Sequence, residues 1–498
     1  MEIRSVRDRL SEKLRVEFSI GLLSVVWFLL RTGTKPSRVV YPCQRAAAAN
    51  IYMWLTSSVL PFLFGITQRL TKTDFSKKRI IAVVAMVVVV AGSLALLELH
   101  ETRREELKEE EVAGLTLEGR LAEVQPASDI FVVTGTNGHD DGLRKLINLM
   151  GQHDLFFYKS NTTGKNSGPN GLIAKDDVII IKVNSQWDQR GGTNTDLLKS
   201  IIEAILDHPD GFIGEIVVAD NGQAQYGAHG SGGSLDWRYN NAENRSQSVQ
   251  RVVDAFSDFG KVSTYLWDTI TLKKVHEYFE GDMDDGYIVN QTANSVTGIR
   301  VSYPKFKTKF GTYISFKLGI WNPERKSYNT EKLKVINVPV LKAHFIYGVT
   351  ACVKHYMGVV SDRLTGHNAH QSVGRGGMGT EMVETRIPIL NILDAIWVNA
   401  HPGEGPGTSY LKATRVNITM ASTDPVALDY WAAKYVLMQT AELLGHTDLS
   451  SIDPDNTAQG SFGTWLRLSM QEMVKEGYQA TVDEDQMNVY VVNLQSKS

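Results

Sequence analysis

Short apolar runs recur along the chain from residue 130 onward, and helix-type periodicity lies between them. IFVV (130–133), VIII (178–181), IVVA (216–219), the run from Val335 to Leu341 and NITM (417–420) have the length and composition of strands. Leu143, Leu146, Ile147 and Met150 repeat at helical spacing after the first run. Leu197, Leu198, Ile201, Ile202 and Ile205 do so after the second, and Val249, Val252, Val253 and Phe256 after the third. Pro425 to Val436 reads as a further helix. A strand that is apolar on both faces needs cover on both faces, which predicts a mostly parallel sheet flanked by helices. The expected class is α/β. Residues 265–330 depart from this pattern. They are aromatic and polar with few helical periods, and they read as a β-rich insertion.

Polar residues follow these strands. Lys182 and Asn184 come after VIII, Asp220 after IVVA, Lys342 and His344 after VINVPVL, and Asp424 after NITMAST. In doubly wound sheets the carboxyl ends of the strands line the ligand crevice. Two lysines, two carboxylates, an asparagine and a histidine are therefore expected to meet there. A lysine at the end of a buried strand costs desolvation unless an anion pairs with it, so the expected ligand is an anionic small molecule. Asp424, in the sequence STDP, also fits a helix N-cap with Pro425 at the first helical position.

The stretch GVTACVKHYMGVV (348–360) reads as helical, with Val349, Val353 and Met357 toward the core. Lys354 then turns to the crevice more readily than His355. TGHNAHQSVGRGGMG (365–379) carries His367, His370 and Arg375 in a glycine-rich setting that suits anion wrapping or metal ligation. His401 and Glu404 lie in a turn-rich loop, and AQYGAHGSGGS (224–234) is another glycine-rich loop. No Walker A, GxGxxG, GxSxG or HExxH pattern occurs.

The first hundred residues have a different character. Ile80–Leu99 is apolar over the length that crosses a bilayer, with Lys77, Lys78 and Arg79 before it. Ala46–Ile66 is a second candidate span, and Phe18–Leu30 fits a membrane-surface helix. These segments predict a membrane-anchoring region over 1–100 and a lipid bilayer as partner, at the cell membrane. One or three spans place the body outside the cytoplasm, and two place it inside. Basic residues flank both sides, so the charge bias does not choose between them. Residues 101–127 read as a charged stalk, and 128–498 as the soluble α/β domain. The net charge of −3 gives no sign of nucleic-acid binding. Two cysteines, Cys43 and Cys352, are too few for a self-contained iron–sulfur cluster.

IIIKVN (179–184), VPVLKAH (338–344), GVTACVKHYMGVV (348–360), the histidine loop, LNILDAI (390–396), GEGPG (403–407) and ASTDPVALD (421–429) occur in this order. Together they resemble the domain-of-unknown-function 362 family over about residues 175–435. The resemblance implies Lys182, Asn184, Lys342, His344, Lys354, Gly358, Asp394 and Asp424 as motif positions. It also implies iron–sulfur association through fused ferredoxin-type cysteine motifs. This chain lacks those motifs, so any redox partner is a separate protein.

Three functions remain open on sequence alone. The first is an enzyme acting on an anionic small molecule, with Lys182 and Lys342 neutralising charge and His344 as general acid or base. Asp220 and Asp424 would orient it, and Asn184, Lys354, Arg375 and Asp394 would bind ligand. The second is an enzyme using a divalent metal on His367 and His370. The third is a non-enzymatic binding or redox-partner module.

Overall fold

The computed structural model describes residues 110–111, 115–223 and 232–494, all within the unit Lys108–Ser498. The expected spans Ile80–Leu99 and Ala46–Ile66 and the surface helix Phe18–Leu30 lie outside these residues. So do residues 101–109 and 112–114 of the charged stalk and most of the loop 224–234. Among the described residues no helix is long and apolar enough to cross a membrane.

The central sheet is built from β1 (Ser128–Thr134), β2 (Val178–Lys182), β3 (Glu215–Asp220), β4 (Lys261–Leu266) and β5 (Leu333–Asn337). It continues with β6 (Val340–His344), β7 (Gly348–Thr350), β8 (Leu390–Asn399), β9 (Thr414–Ser422) and β10 (Met487–Asn493). The main path runs β10-β1-β9-β8-β5-β2-β3-β4, with β6 beside β8 and β7 beside β6. Pairing is parallel from β8 through β4 and between β1 and β10. Only β9 on this path runs the other way, antiparallel to both β8 and β1.

Alternation within each strand divides the core. Ile130, Val132, Ile180 and Val335 face one apolar cluster. It is covered by the helices Gly377–Glu384, Pro425–Ala432 and Phe462–Lys475. Phe131, Val133, Ile179 and Ile181 face the other, under the helices Gly142–Gln152, Thr195–Leu206 and Val249–Asp254. Both faces of the sheet are thus buried, as continuous apolar strands require. The segment 265–330 contains a separate five-stranded antiparallel sheet over Gly286–Asn329.

Two local readings are corrected. The single strand expected from Val335 to Leu341 is two strands. They are broken at Val338–Pro339, where proline has no N–H to donate. Pro339 O still accepts from Asp394 N at 2.9 Å. The break lets β5 pair with β2 and the start of β8, while β6 pairs with the far end of β8. The continuous helix expected over 348–360 is instead β7, a one-turn helix Cys352–His355 and a 3-10 turn Tyr356–Gly358. Asp429, from the helix that follows β9, makes this possible. Its carboxylate accepts from Cys352 N (2.6 Å) and Val353 N (2.9 Å), supplying the cap that the short helix lacks in its own sequence.

Candidate functional site

Lys182 closes β2 and is fully buried. Its Nζ donates to Asp220 Oδ1 at 2.7 Å, and Asp220 Oδ2 accepts from Ser185 N (2.7 Å) and Ser185 Oγ (3.0 Å). Burial pushes the lysine below its ordinary range, opposed by Asp220. The carboxylate is thus fully engaged, as a buried ion pair must be. Gly358 lies directly over the pair. A Cβ at that position would overlap both Asp220 Oδ1 and Lys182 Nζ. Gly358→Ala is expected to cost about 2 kcal/mol or more through overpacking against a rigid ion pair. A melting curve against the wild type measures it, and an unchanged Tm would show that the pair can move aside.

Lys342 and His344 alternate on β6 and so share a face. Lys342 has no exposure, and its Nζ donates to Gly191 O at 2.5 Å. Burial, followed by the neighbouring Lys354, pushes its pKa down to about 7. Lys354 is 6% exposed and has no hydrogen-bond acceptor among the described residues. Burial brings its pKa to about 7 as well. Its Nζ lies 5.3 Å from the centre of the Tyr347 ring, which in turn lies 5.2 Å from the His344 ring. Thr350 is the register partner of Lys342, and its buried hydroxyl has no partner among the described residues.

His344 is not arranged as an acid or base. Its Nδ1 accepts from Ile346 N (3.1 Å) and Tyr347 N (3.2 Å), which fixes the proton on Nε2. Burial and the nearby Lys354 and Lys342 hold the imidazole neutral, far below its ordinary range. Its one N–H donor is therefore Nε2. His355 is held similarly. Asn337 commits its amide nitrogen to Cys352 O and Asn391 Oδ1, so its Oδ1 accepts from His355 Nδ1 at 2.7 Å. Nε2 of His355 is left buried and unpaired among the described residues, and burial with Lys182 and Lys342 nearby keeps the ring neutral.

The other predicted residues fall elsewhere. Asp424 lies two residues beyond β9, which is three strands from β2 along the sheet. It caps the helix Pro425–Ala432 through Val426 N (2.8 Å) and Ala427 N (3.0 Å) and accepts from Ser128 Oγ at 2.7 Å. The expected place beside Lys182 is corrected. The register Lys182–Asn337–Asn391–Ser422 puts the ends of β2 and β9 level across the sheet but three strands apart, so Asp424 does not stand beside Lys182. Asp394 is buried within β8 and accepts from Asn194 N (2.9 Å) and Ile396 N (3.1 Å), fixing the start of the helix Thr195–Leu206. Arg375 is exposed and packs on Gly298. Asn184 is buried near Lys182 with its Oδ1 unpaired among the described residues.

His367 and His370 each place Nδ1 2.8 Å from the same buried oxygen, Oδ2 of Asp362. Burial opposes ionisation of Asp362, but the His370 and His367 hydrogen bonds outweigh it and hold the carboxyl below its usual range. Helical pitch does not bring the two rings together. His367 precedes the short helix Asn368–Ser372 with a left-handed backbone, and a tight turn onto Asp362 does so. Among the described residues no three His, Cys, Asp or Glu side chains converge as a metal-ligand set. His401 instead hydrogen-bonds His446 at 2.9 Å, beside a concavity lined by Gly403, His446 and Asp448.

Asp362, Ser185, Thr350 and Tyr347 were not legible as site residues. Ser185 and Thr350 stand within a few residues of a predicted lysine, which is the only sequence signal for either.

Residues 237–434 match the model of a family described as Domain of unknown function (DUF362). Lys342, His344, Lys354, His367, His370, Arg375, Asp394 and Asp424 fall inside that match, whereas Lys182, Asn184 and Asp220 precede it. No curated protein and no solved structure matches the chain.

Proposed function

We propose that this protein is an enzyme acting on an anionic small molecule, bound among Lys342, Lys354, His344 and Thr350. One observation carries the reading. Three buried lysines, Lys182, Lys342 and Lys354, share one region, and only Lys182 has a carboxylate at hydrogen-bond distance among the described residues. Leaving two amines desolvated without an anion is costly, and a bound carboxylate or phosphate recovers that cost by accepting from both lysines and from His344 Nε2. Perturbed groups gathered in this way mark a candidate functional site. The apolar runs Ile80–Leu99 and Ala46–Ile66 support a membrane-anchored form, and the absence of ferredoxin-type cysteine motifs supports a role without an intrinsic cluster.

The test is a thermal-shift panel of small carboxylates and phosphates on the full chain. At least one is expected to raise Tm by several degrees. Lys342→Met is expected to remove that shift while the unliganded protein melts at or above the wild-type temperature. A shift retained in full by Lys342→Met would sink the reading.

A further inference from the structure

We propose that Lys354 is the nucleophile of this site and forms an imine with the carbonyl carbon of a small 2-oxo acid, whose carboxylate is held by Lys342 and His344. The inference rests on the anion site above and adds a covalent step to it.

The three lysines differ in what occupies their amines. Lys182 is bound to Asp220 at 2.7 Å. Lys342 donates to Gly191 O at 2.5 Å and has no exposure. Lys354 alone has no hydrogen bond among the described residues, and it retains 6% exposure, as does His344. Phe345 and Ile346, next to His344 in the chain, are 62% and 58% exposed, so this end of the cluster reaches the surface. Lys354 also sits on a short helix pinned by Asp429 rather than on a mobile loop. A nucleophilic amine needs a neutral lone pair, and desolvation beside other cations supplies it. Burial bringing Lys354 to about 7 agrees with that.

The partners of a 2-oxo acid are already in place. A carboxylate needs cationic and N–H donors, and Lys342 and the Nε2–H of His344 are two on one strand face. The carbonyl oxygen needs a neutral donor that does not protonate the amine. Thr350 Oγ, buried and unpaired opposite Lys342, provides one. In the step itself the Lys354 lone pair adds to the carbonyl carbon and the C=O π pair moves to oxygen. A proton passes from nitrogen to that oxygen, giving a carbinolamine. Loss of the oxygen as water, with the second amine proton, leaves the C=N bond. One amine and one carbonyl give one imine and one water, and nothing is oxidised or reduced.

The test uses the full chain in detergent, incubated with pyruvate or 2-oxoglutarate and then with sodium borohydride, followed by peptide mapping. The reduced adduct is expected on the peptide that contains Lys354. Labelling there should exceed that of exposed lysines by on the order of a hundredfold at neutral pH. Lys354→Arg is expected to abolish the adduct while the protein stays folded by circular dichroism. Label spread evenly over surface lysines, or label unchanged in Lys354→Arg, overturns the inference. A 2-oxo acid that shifts Tm but leaves no adduct also overturns it, with the anion site intact. Loss of both shift and adduct in the wild type overturns the anion site as well.

Discussion

Asp220→Asn is expected to destabilise the protein by about 3–5 kcal/mol, the usual cost of breaking a buried ion pair from one side. The carboxylate is the anionic partner of Lys182, at 2.7 Å, and its other oxygen holds Ser185 N and Oγ. An asparagine keeps the shape but leaves an ammonium in a region that already contains Lys342 and Lys354. The variant is therefore expected to fold poorly at neutral pH, where all three amines compete to stay neutral. The compensating variant separates charge from shape. Lys182→Met together with Asp220→Asn removes both charges and is expected to recover at least half of the loss. Denaturant unfolding measures both variants. A single variant within about 1 kcal/mol of wild type, by the same scale, would show that Asp220 is not what holds Lys182.

The second large effect is a stability that rises with pH above neutrality. Lys342 and Lys354 both have folded-state pKa values of about 7 against an ordinary 10.5. A depressed lysine binds fewer protons folded than unfolded between those two values, so folding becomes more favourable as pH rises through that window. The stability these two groups contribute is complete above about pH 10.5 and is lost as pH falls through 7. Each tenfold weakening of proton binding on folding corresponds to about 1.4 kcal/mol, which makes each lysine worth on the order of 3–5 kcal/mol across the window. Other groups titrate there too, so the decisive comparison is with Lys342→Met/Lys354→Met. The double variant is expected to lose most of the rise between pH 7 and 9 and to be the more stable protein at pH 7. Parallel curves for variant and wild type would show that the two amines stay protonated when folded.

Both expectations depend on residues whose types were visible in the sequence but whose partners were not. The lysines after VIII and VINVPVL stood out because a charged residue at the end of a fully apolar strand needs a reason. That argument is local, and it led to Lys182, Asp220 and Lys342. It could not show that Asp220 belongs to Lys182 alone, because that depends on β2 and β3 being neighbours. For His344 it gave a general acid or base, the role of an unperturbed imidazole. Two backbone amides of its own turn, together with two lysines, make it a neutral donor instead. The histidine loop was read by helical spacing, whereas Asp362, five residues before His367, gathers the two rings.

What the sequence determined by itself was the α/β class and the layering. Apolar periodicity is a property of consecutive residues, and a strand apolar on both sides has one way to be buried. Tertiary structure decided strand direction and neighbour identity. NITMAST looks like the other strands, yet β9 runs antiparallel and lies three strands from β2 in the sheet, so Asp424 caps a helix instead of meeting Lys182. Direction is set by how a connection returns the chain to the sheet, which no local pattern encodes. Charge state was decided the same way. A lysine's pKa depends on the water and the carboxylates around it, and those arrive from segments that lie far away in the chain.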